Sequence, residues 1–302
     1  MSYCSLNEYY KQKYGKKVYR LAISGGMTCP NRDGTLGTRG CIFCSVGGSG
    51  EFASSATFSV AEQLEQAKRR VKAKTSDNAY IAYFQPFTNT YADVDTLRRL
   101  YREAIAPEEI VGLAIGTRPD CLPPEVIDLL GEINAVKPVT VELGLQTIHE
   151  TTAQYIRRGY PLTVYDRAVE ALHSVGVEVV THVILGLPYE TEEMMIKTVS
   201  YVGERTDGIK LQLLHVLENT DLANEYRSGR FDVLSLADYT RILCRCIEIL
   251  PEKVVIYRLT GDGDKRSLIA PLWSADKKKT LNFINRFMRE NNIQQGRHYS
   301  RI

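Results

Sequence analysis

The sequence predicts an α/β fold, a partial or full (β/α) barrel with a C-terminal extension. Two observations carry this. Short apolar runs that read as strands recur about every 30–40 residues with amphipathic helical stretches between them, the signature of repeated βαβ units on a parallel sheet. Roughly seven such units follow without a linker or low-complexity break, which suits one barrel better than a doubly wound sheet. The division is an N-terminal basic and aromatic arm over residues 1–17, a barrel over 18–252 and an extension over 253–302.

Residues 3–20 interleave Tyr9, Tyr10, Tyr14 and Tyr19 with Lys11, Lys13, Lys16, Lys17 and Arg20. Residues 18–24 read as the first strand, and Gly25-Gly26 releases it into a long loop. Ser59 and Glu62 form a capping box that opens a helix to about Lys74. Strands follow at 79–84, 110–115, 139–145, 177–185, 208–216 and 253–259. Helices are expected at 93–106, at 123–134 with proline near its first turn, at 149–157, 163–175, 190–205 and 236–250, and at 276–291 to close the chain.

Composition narrows the function less than the motifs do. Hydrophobic residues make up 44 % and charged residues 25 % of the chain, as in ordinary globular proteins. A net charge of +2 offers no global field for nucleic acid, so any basic surface is local. The N-terminus lacks a basic-then-apolar signal, and no apolar run reaches the roughly 20 residues of a membrane span. Seven cysteines, an odd number, argue against a disulfide framework and for a reducing cytoplasm.

Three of those cysteines, Cys29, Cys41 and Cys44, share the loop after the first strand in a C-x11-C-x2-C spacing. A C-x-x-C pair alone fits redox dithiols, zinc or chance. Three thiols with no fourth and no near histidine suit a cubane iron–sulfur cluster with one iron left open. Gly34, Gly37, Gly40, Gly47, Gly48 and Gly50 let backbone approach such a group closely. Barrels of this kind keep their chemistry in the loops after the strands. There the sequence offers Gln85–Tyr91, Gly116–Asp120, Glu142 and Gln146, His182–Glu190, and Lys210, Gln212 and His215. Glu142, Gln146, His182, Lys210 and Gln212 stand inside strands whose interiors are usually apolar, and together they point to a polar small-molecule site. Glu142 and Lys210 are the catalytic candidates. Cys121 follows Asp120 as an incidental thiol, and Cys244 and Cys246 read as core thiols.

The cysteine loop, with Phe43 just before the last thiol, resembles that of the radical S-adenosylmethionine (SAM) superfamily. Glu142-Leu-Gly-Leu-Gln146 and Gly186-Leu-Pro188 resemble its Elongator-like and coproporphyrinogen-dehydrogenase-like branches. Cys-Pro-Asn-Arg-Asp-Gly, Gly-Cys-Ile-Phe-Cys-Ser, Tyr-Phe-Gln with Thr-Asn-Thr-Tyr, and Gly-Thr-Arg-Pro-Asp resemble the bacterial YhcC/YtqA family over about residues 14–272. The resemblance implies that Cys29, Cys41 and Cys44 hold a [4Fe-4S] cluster whose open iron chelates SAM. It places Phe43 near adenine, Gln85 at the methionine ammonium where relatives carry an acid, Gln146 at the ribose and Arg158 at the methionine carboxylate. His182 takes a position where a relative uses an acid for ribose, and Glu142 serves SAM or substrate. It further implies a low-potential electron donor such as flavodoxin or ferredoxin, and tRNA as substrate through its wobble uridine.

RNA contacts would come from the N-terminal tyrosines and lysines, Lys210, His215, Arg258 and the tail Lys277, Lys278, Lys279, Arg286, Arg289 and Arg297. For the arm and the tail, the alternative is a solvated helix face, with the arm covering the barrel bottom. A non-catalytic zinc-binding RNA adaptor, three thiolates plus a histidine, is the reading from another class.

Overall fold

The computed structural model describes residues 2–45, 47–48, 56–72, 77–261 and 265–300. Gly50 and the expected helix end at Lys74 lie outside them. Seven parallel strands form one sheet: β1 (Tyr19–Ile23), β2 (Tyr80–Phe84), β3 (Ile110–Thr117), β4 (Val139–Gln146), β5 (Glu178–Leu185), β6 (Gly208–Leu213) and β8 (Val255–Arg258). They are hydrogen-bonded in the order β1-β2-β3-β4-β5-β6-β8, with β1 and β8 at the two edges, so the barrel is partial. Helices α1 (Leu6–Tyr14), α2 (Val60–Val71), α3 (Val94–Ile105), α4 (Pro124–Asn134), α5 (Glu150–Tyr155), α6 (Leu162–Ser174), α7 (Glu192–Gly203), α8 (Asp221–Arg227), α9 (Leu236–Ile249) and α10 (Lys277–Glu290) complete the chain, with a ribbon of β7 (Val216–Leu217) and β9 (Leu268–Ala270).

Local chemistry sets the helix starts. Ser59 and Glu62 form the expected capping box, Ser59 Oγ accepting from Glu62 N at 3.3 Å and Glu62 Oε2 from Ser59 N at 2.9 Å. Asp93 caps α3 by accepting from Thr96 N at 2.8 Å, and Leu97, Leu100, Tyr101, Ala104 and Ile105 then form its buried stripe. Period-two alternation splits each strand. Leu21 and Ile23, Ala82 and Phe84, Val141 and Leu143, Val183 and Leu185, and Ile209 and Leu211 belong to the main core. The alternate positions Arg20, Tyr83, Glu142, His182 and Lys210 face the interior.

The structure corrects three expectations. The strand expected at 253–259 forms as β8 and pairs with β6 through Gly208↔Val255, Ile209↔Ile256 and Lys210↔Arg258, so the barrel sheet runs past the boundary placed at 252. The strand expected at 208–216 ends at Leu213, and Val216–Leu217 turns to pair with β9. The arm at 1–17 is α1, and its tyrosines are spent on sealing the bottom of the barrel. Tyr10 is 5 % exposed among Val18, Ala79, Ile81, Tyr83 and Ala114. Tyr9 Oη donates to Glu178 Oε1 at 2.5 Å, and Lys13 pairs with the same carboxylate at 2.5 Å, at the N-terminal end of β5. RNA stacking on these rings is therefore replaced by packing, while Lys11 and Lys16 remain exposed.

The seal extends to the sheet edge. Ile256 N donates to Cys4 O at 2.8 Å, and Cys4 N donates to Gln295 Oε1 at 2.8 Å. Gln295 Nε2 in turn donates to Pro251 O and Val254 O. Tyr10→Ala should lower unfolding free energy by about 3–4 kcal/mol, the scale of an emptied aromatic core site. Lys16→Ala should change it by less than about 0.5 kcal/mol. Urea midpoints measure both, and equal small effects would mean that α1 does not support the barrel.

Candidate active site

The loop after β1 is held by its own polar side chains. Gly40 N donates to Asn31 O at 2.7 Å, and Asn31 Nδ2 donates to Arg157 O at 2.7 Å and faces Cys41 Sγ at 3.4 Å. Arg32 Nη2 donates to Cys44 O at 3.2 Å and Ser45 O at 2.5 Å, tying the far end of the loop to its start. Tyr91 meets Thr35 at 3.0 Å, so the loop after β2 braces the cysteine loop. Asn89 fixes that brace, its Nδ2 donating to Phe84 O, Pro86 O and Gly116 O. The Thr-Asn-Thr-Tyr motif is thus a structural clamp.

Cys29, Cys41 and Cys44 open into one cavity of ≈ 310 Å³ with Phe43, Gln85, Glu142, Gln146, Arg158, His182 and Lys210. Every sequence-expected site residue is therefore brought to a single space. Burial pushes the Cys41 thiol up to about 12, and Cys44 adds to the shift, while Arg118 and Asn31 oppose it. Arg118 grips Asp120 through Nε at 2.9 Å and Nη2 at 2.7 Å, and it also donates to Arg158 O at 2.8 Å. Cys121 packs beside Asp120 and away from the cavity lining.

Gln146 ends β4 with φ 72°, in a register shift between Gly144 and Gln146. A non-glycine residue in this left-handed region is strained, and such strain concentrates at functional sites. Its Oε1 is buried without a hydrogen-bond partner. Gly48, at φ 62°, lies under Phe87, and an added Cβ would meet that ring at 2.6 Å. Arg158 is committed to the chain: Nε donates to Tyr160 O at 2.9 Å, Nη1 to Thr147 O at 2.6 Å and Nη2 to Glu150 Oε1 at 3.0 Å.

Below the cysteines, five strands contribute to one buried ionic cluster. Glu142 Oε1 pairs with Arg20 at 2.5 Å, and its Oε2 accepts from Lys210 at 2.5 Å, Tyr83 at 2.6 Å and His182 Nε2 at 3.1 Å. Lys210 also reaches Tyr83 Oη at 3.3 Å, and the Arg20 guanidinium stacks 3.9 Å above the Tyr83 ring. Burial by itself would raise the Glu142 carboxyl, but Arg20 and Lys210 outweigh it and hold the group well below the usual carboxylate range. Burial, then Lys210, lowers His182 to about 4, so the imidazole is neutral at pH 7. Burial lowers Lys210 to about 7, with Glu142 resisting and Arg20 and Arg258 assisting.

Arg20, Tyr83 and Arg118 escaped assignment as site residues. Arg20 is a charge inside a strand, the same signal that singled out Glu142, but it was grouped with the basic arm before it. Lys210, at 5 % exposure, is unavailable to an RNA surface.

The residues fit the group that the cysteine spacing suggests. Three soft thiol donors suit iron–sulfur ligation, and the unpartnered Gln146 Oε1 offers an acceptor to a bound nucleoside. Among the described residues no three His, Cys, Asp or Glu side chains gather closely enough for a single metal ion. Among the described residues, too, no helix is long and apolar enough to cross a membrane.

Comparison with known proteins agrees. The Radical SAM superfamily profile matches residues 34–202 and the Radical_SAM C-terminal domain profile residues 206–290. YtqA of Bacillus subtilis (strain 168) is 41 % identical over 301 residues, 99 % of this chain and 94 % of its own length. YhcC of Escherichia coli (strain K12) is 38 % identical over 286 residues, 94 % of this chain and 91 % of its own. The structure of archaeal Methanocaldococcus infernus Elp3 superposes with a TM-score of 0.71 at 17 % identity, over 92 % of this chain and 64 % of that one, a likeness of fold. With identity of this order along nearly its whole length, the chain belongs to the radical SAM superfamily, whose members use a [4Fe-4S] cluster and SAM, and within it to the group of YtqA and YhcC.

Proposed function

We propose that this radical SAM enzyme acts on the wobble uridine of tRNA, removing the carboxymethyl group of carboxymethylaminomethyluridine to leave aminomethyluridine. The observation that carries the radical chemistry is the single cavity shared by Cys29, Cys41, Cys44 and the inward polar side chains. The resemblance to the Elongator-like branch supports the choice of RNA. In this reading the three thiolates hold the cluster at the mouth and Phe43 packs near adenine. Gln85 accepts from the methionine ammonium through its amide oxygen, and Gln146 Oε1 accepts from the ribose. Arg158 shapes the carboxylate side from its anchored position, and His182, as neutral imidazole, completes the wall. When bound, the cluster and SAM would supply a 5′-deoxyadenosyl radical able to take hydrogen from the carbon beside the substrate nitrogen. Loss of one further electron to a one-electron acceptor such as the oxidised donor protein would give an iminium, and water would cleave its carbon–nitrogen bond to leave the amine and release the carboxymethyl carbons as glyoxylate. A low-potential donor such as flavodoxin or ferredoxin supplies the electron.

The tail helix offers a surface for the nucleic acid. Ile284 and Met288 bury one face of α10, and Lys277, Lys278, Lys279, Arg286 and Arg289 stay on the exposed side. Phosphate contacts of this kind are electrostatic and salt-dependent.

Anaerobically reconstituted protein should be brown, hold about four irons per chain and release 5′-deoxyadenosine from SAM when a reductant is present. Cys29→Ala, Cys41→Ala or Cys44→Ala should abolish both properties. Colourless protein with one zinc would overturn the enzyme reading. Mass spectrometry of tRNA nucleosides from a deletion strain should show carboxymethylaminomethyluridine accumulating, and an unchanged wobble profile would remove tRNA as substrate. Glu142→Gln leaves Arg20 and Lys210 without their shared counter-charge and should cost about 3–5 kcal/mol of stability. A loss below about 1 kcal/mol in urea unfolding would show that the carboxylate does not hold the floor together.

A further inference from the structure

The rim of the cavity beside the cysteine loop is aromatic and basic. Ile42, next to Cys41, joins the loop to the ends of two helices: Ile42 N donates to Ile156 O at 3.2 Å, and Leu222 N donates to Ile42 O at 3.1 Å. The end of α5 and the start of α8 therefore abut the loop, and Tyr155, Tyr226 and Phe231 pack on the same apolar cluster as Phe43. Beside them stands Tyr189. It is 65 % exposed, and its ring meets that of Tyr155 edge-on at 5.3 Å. A large side chain at φ 68° is a strained backbone outlier. The turn that imposes this strain is anchored on both sides. Leu187 is buried, Glu190 N donates to Leu187 O at 3.2 Å, and Glu190 Oε1 accepts from Thr147 Oγ1 at 2.5 Å. The fold thus bears strain to hold a ring that it leaves mostly in water.

The same rim carries arginines whose carboxylate partners lie deeper. Arg39 and Arg157 share Asp221 at 3.4 Å and 2.6 Å, and Arg230 pairs at 3.8 Å with Glu225, which also accepts from Tyr155 Oη at 2.7 Å. Side-chain exposure is 70 % for Arg39 against 35 % for Asp221, and 63 % for Arg230 against 21 % for Glu225. At these pairs solvent meets the guanidinium, which suits a polyanion. Exposed rings with cations beside them fit single-stranded RNA, whose unstacked bases lie on aromatic faces while its phosphates meet the cations. The cavity behind the rim, at ≈ 310 Å³, is at the small end for a single ligand site, so the neighbours of an entering nucleoside stay outside it. We infer that Tyr189 is a stacking platform for the base next to the one that enters the cavity, with Arg230 at an adjoining phosphate. The inference rests on the reading of the substrate as RNA and names the surface that holds it.

The place of the ring follows from topology. Tyr189 lies just past the end of β5 at Leu185, and His182 and Ile184 of that strand line the cavity. A base held at the rim leaves the next nucleotide free to turn inward, as an extruded nucleotide does. Because the turn is already anchored, little order is lost when a base settles on the ring. Stacking tolerates every base, so the platform supplies affinity and depth while the cavity selects the nucleoside. The basic face of α10 makes only electrostatic contacts, so the two surfaces differ in their response to salt.

The test measures binding of an anticodon stem-loop RNA bearing carboxymethylaminomethyluridine to the reconstituted protein by fluorescence anisotropy. Tyr189→Gly should weaken binding about tenfold or more, the scale of one lost base stack, and leave its salt dependence unchanged. Tyr189→Trp should stay within about twofold of wild type. Arg230→Gln should reduce the slope of log affinity against log salt by about 0.7. Glycine accepts a positive φ, so Tyr189→Gly should melt no earlier than wild type and bind S-adenosylhomocysteine equally, a pattern that loss of fold support would not give. If it melts earlier, Tyr189→Asn, which also tolerates positive φ, carries the same expectation for RNA. Stem-loop binding equal to wild type in the folded variant overturns the platform and leaves the tRNA reading standing. Dimerisation of wild type that Tyr189→Gly abolishes, with RNA binding unchanged, overturns it too and makes the rim a self-contact. If wild type binds no stem-loop, the tRNA reading fails and an unstructured uridine-rich RNA serves as the probe. Weaker binding of that RNA by Tyr189→Gly then upholds the platform, and equal binding or none by wild type overturns it.

Discussion

A single carboxylate, Glu142, ties together strands that the sheet alone would leave as an open ribbon. Its two oxygens draw side chains from β1, β2, β5 and β6 to a point inside the curve of β4. Backbone ladders join each strand to its neighbours, but β1 and β6 lie far apart in strand order and have no ladder in common. Arg20 and Lys210 meeting on Glu142 is what fixes the curvature across that gap. The same interaction keeps the interior polar at the level where most barrels place branched apolar layers. The fold thus retains a chamber where it could have had a core, and it depends on one ionised group to do so.

The mouth is organised on a different principle. There the chain uses backbone carbonyls as fixed acceptors and long side chains as struts: Asn31, Arg32 and Asn89 each bridge segments that secondary structure does not connect. These struts leave the three thiols lining one cavity. Gln146, held at a positive φ by the register shift beneath it, faces the same space. A strained acceptor without a partner is preorganised for a ligand, and its strain is borne by the flanking β4–β5 ladder.

Much of this was legible in the sequence because the signals were local and redundant. The alternation of strands and helices repeated often enough that misplacing one end by a residue or two changed nothing. The cysteine spacing and the polar residues inside strands marked the site without knowledge of the register. Less legible were features decided at long range. The Tyr and Lys residues of α1 look the same whether they stack on RNA or close a barrel, since both tasks want amphipathic rings with cations beside them. Arg20 sat at the boundary between two readings and was given to the wrong one. The strand β8 is four residues long, and only its ladder to β6 shows that it belongs to the sheet. The pairing of Lys210 with Arg258 on one rung also needed the register, which no linear pattern carries.

The bond from Cys4 N to Gln295 Oε1 joins residues 291 apart along the chain. Contacts of such separation are the slowest to close, because the entropy of the intervening loop must be overcome before they return anything. During synthesis residue 4 leaves the ribosome well before residue 295, so the floor beneath β8 stays unsealed until the segment after β8 has been made. Nascent chains therefore leave the floor beneath β8 open throughout that interval. That interval, more than the stability of the finished barrel, is when this protein is most open to aggregation and to chaperone capture.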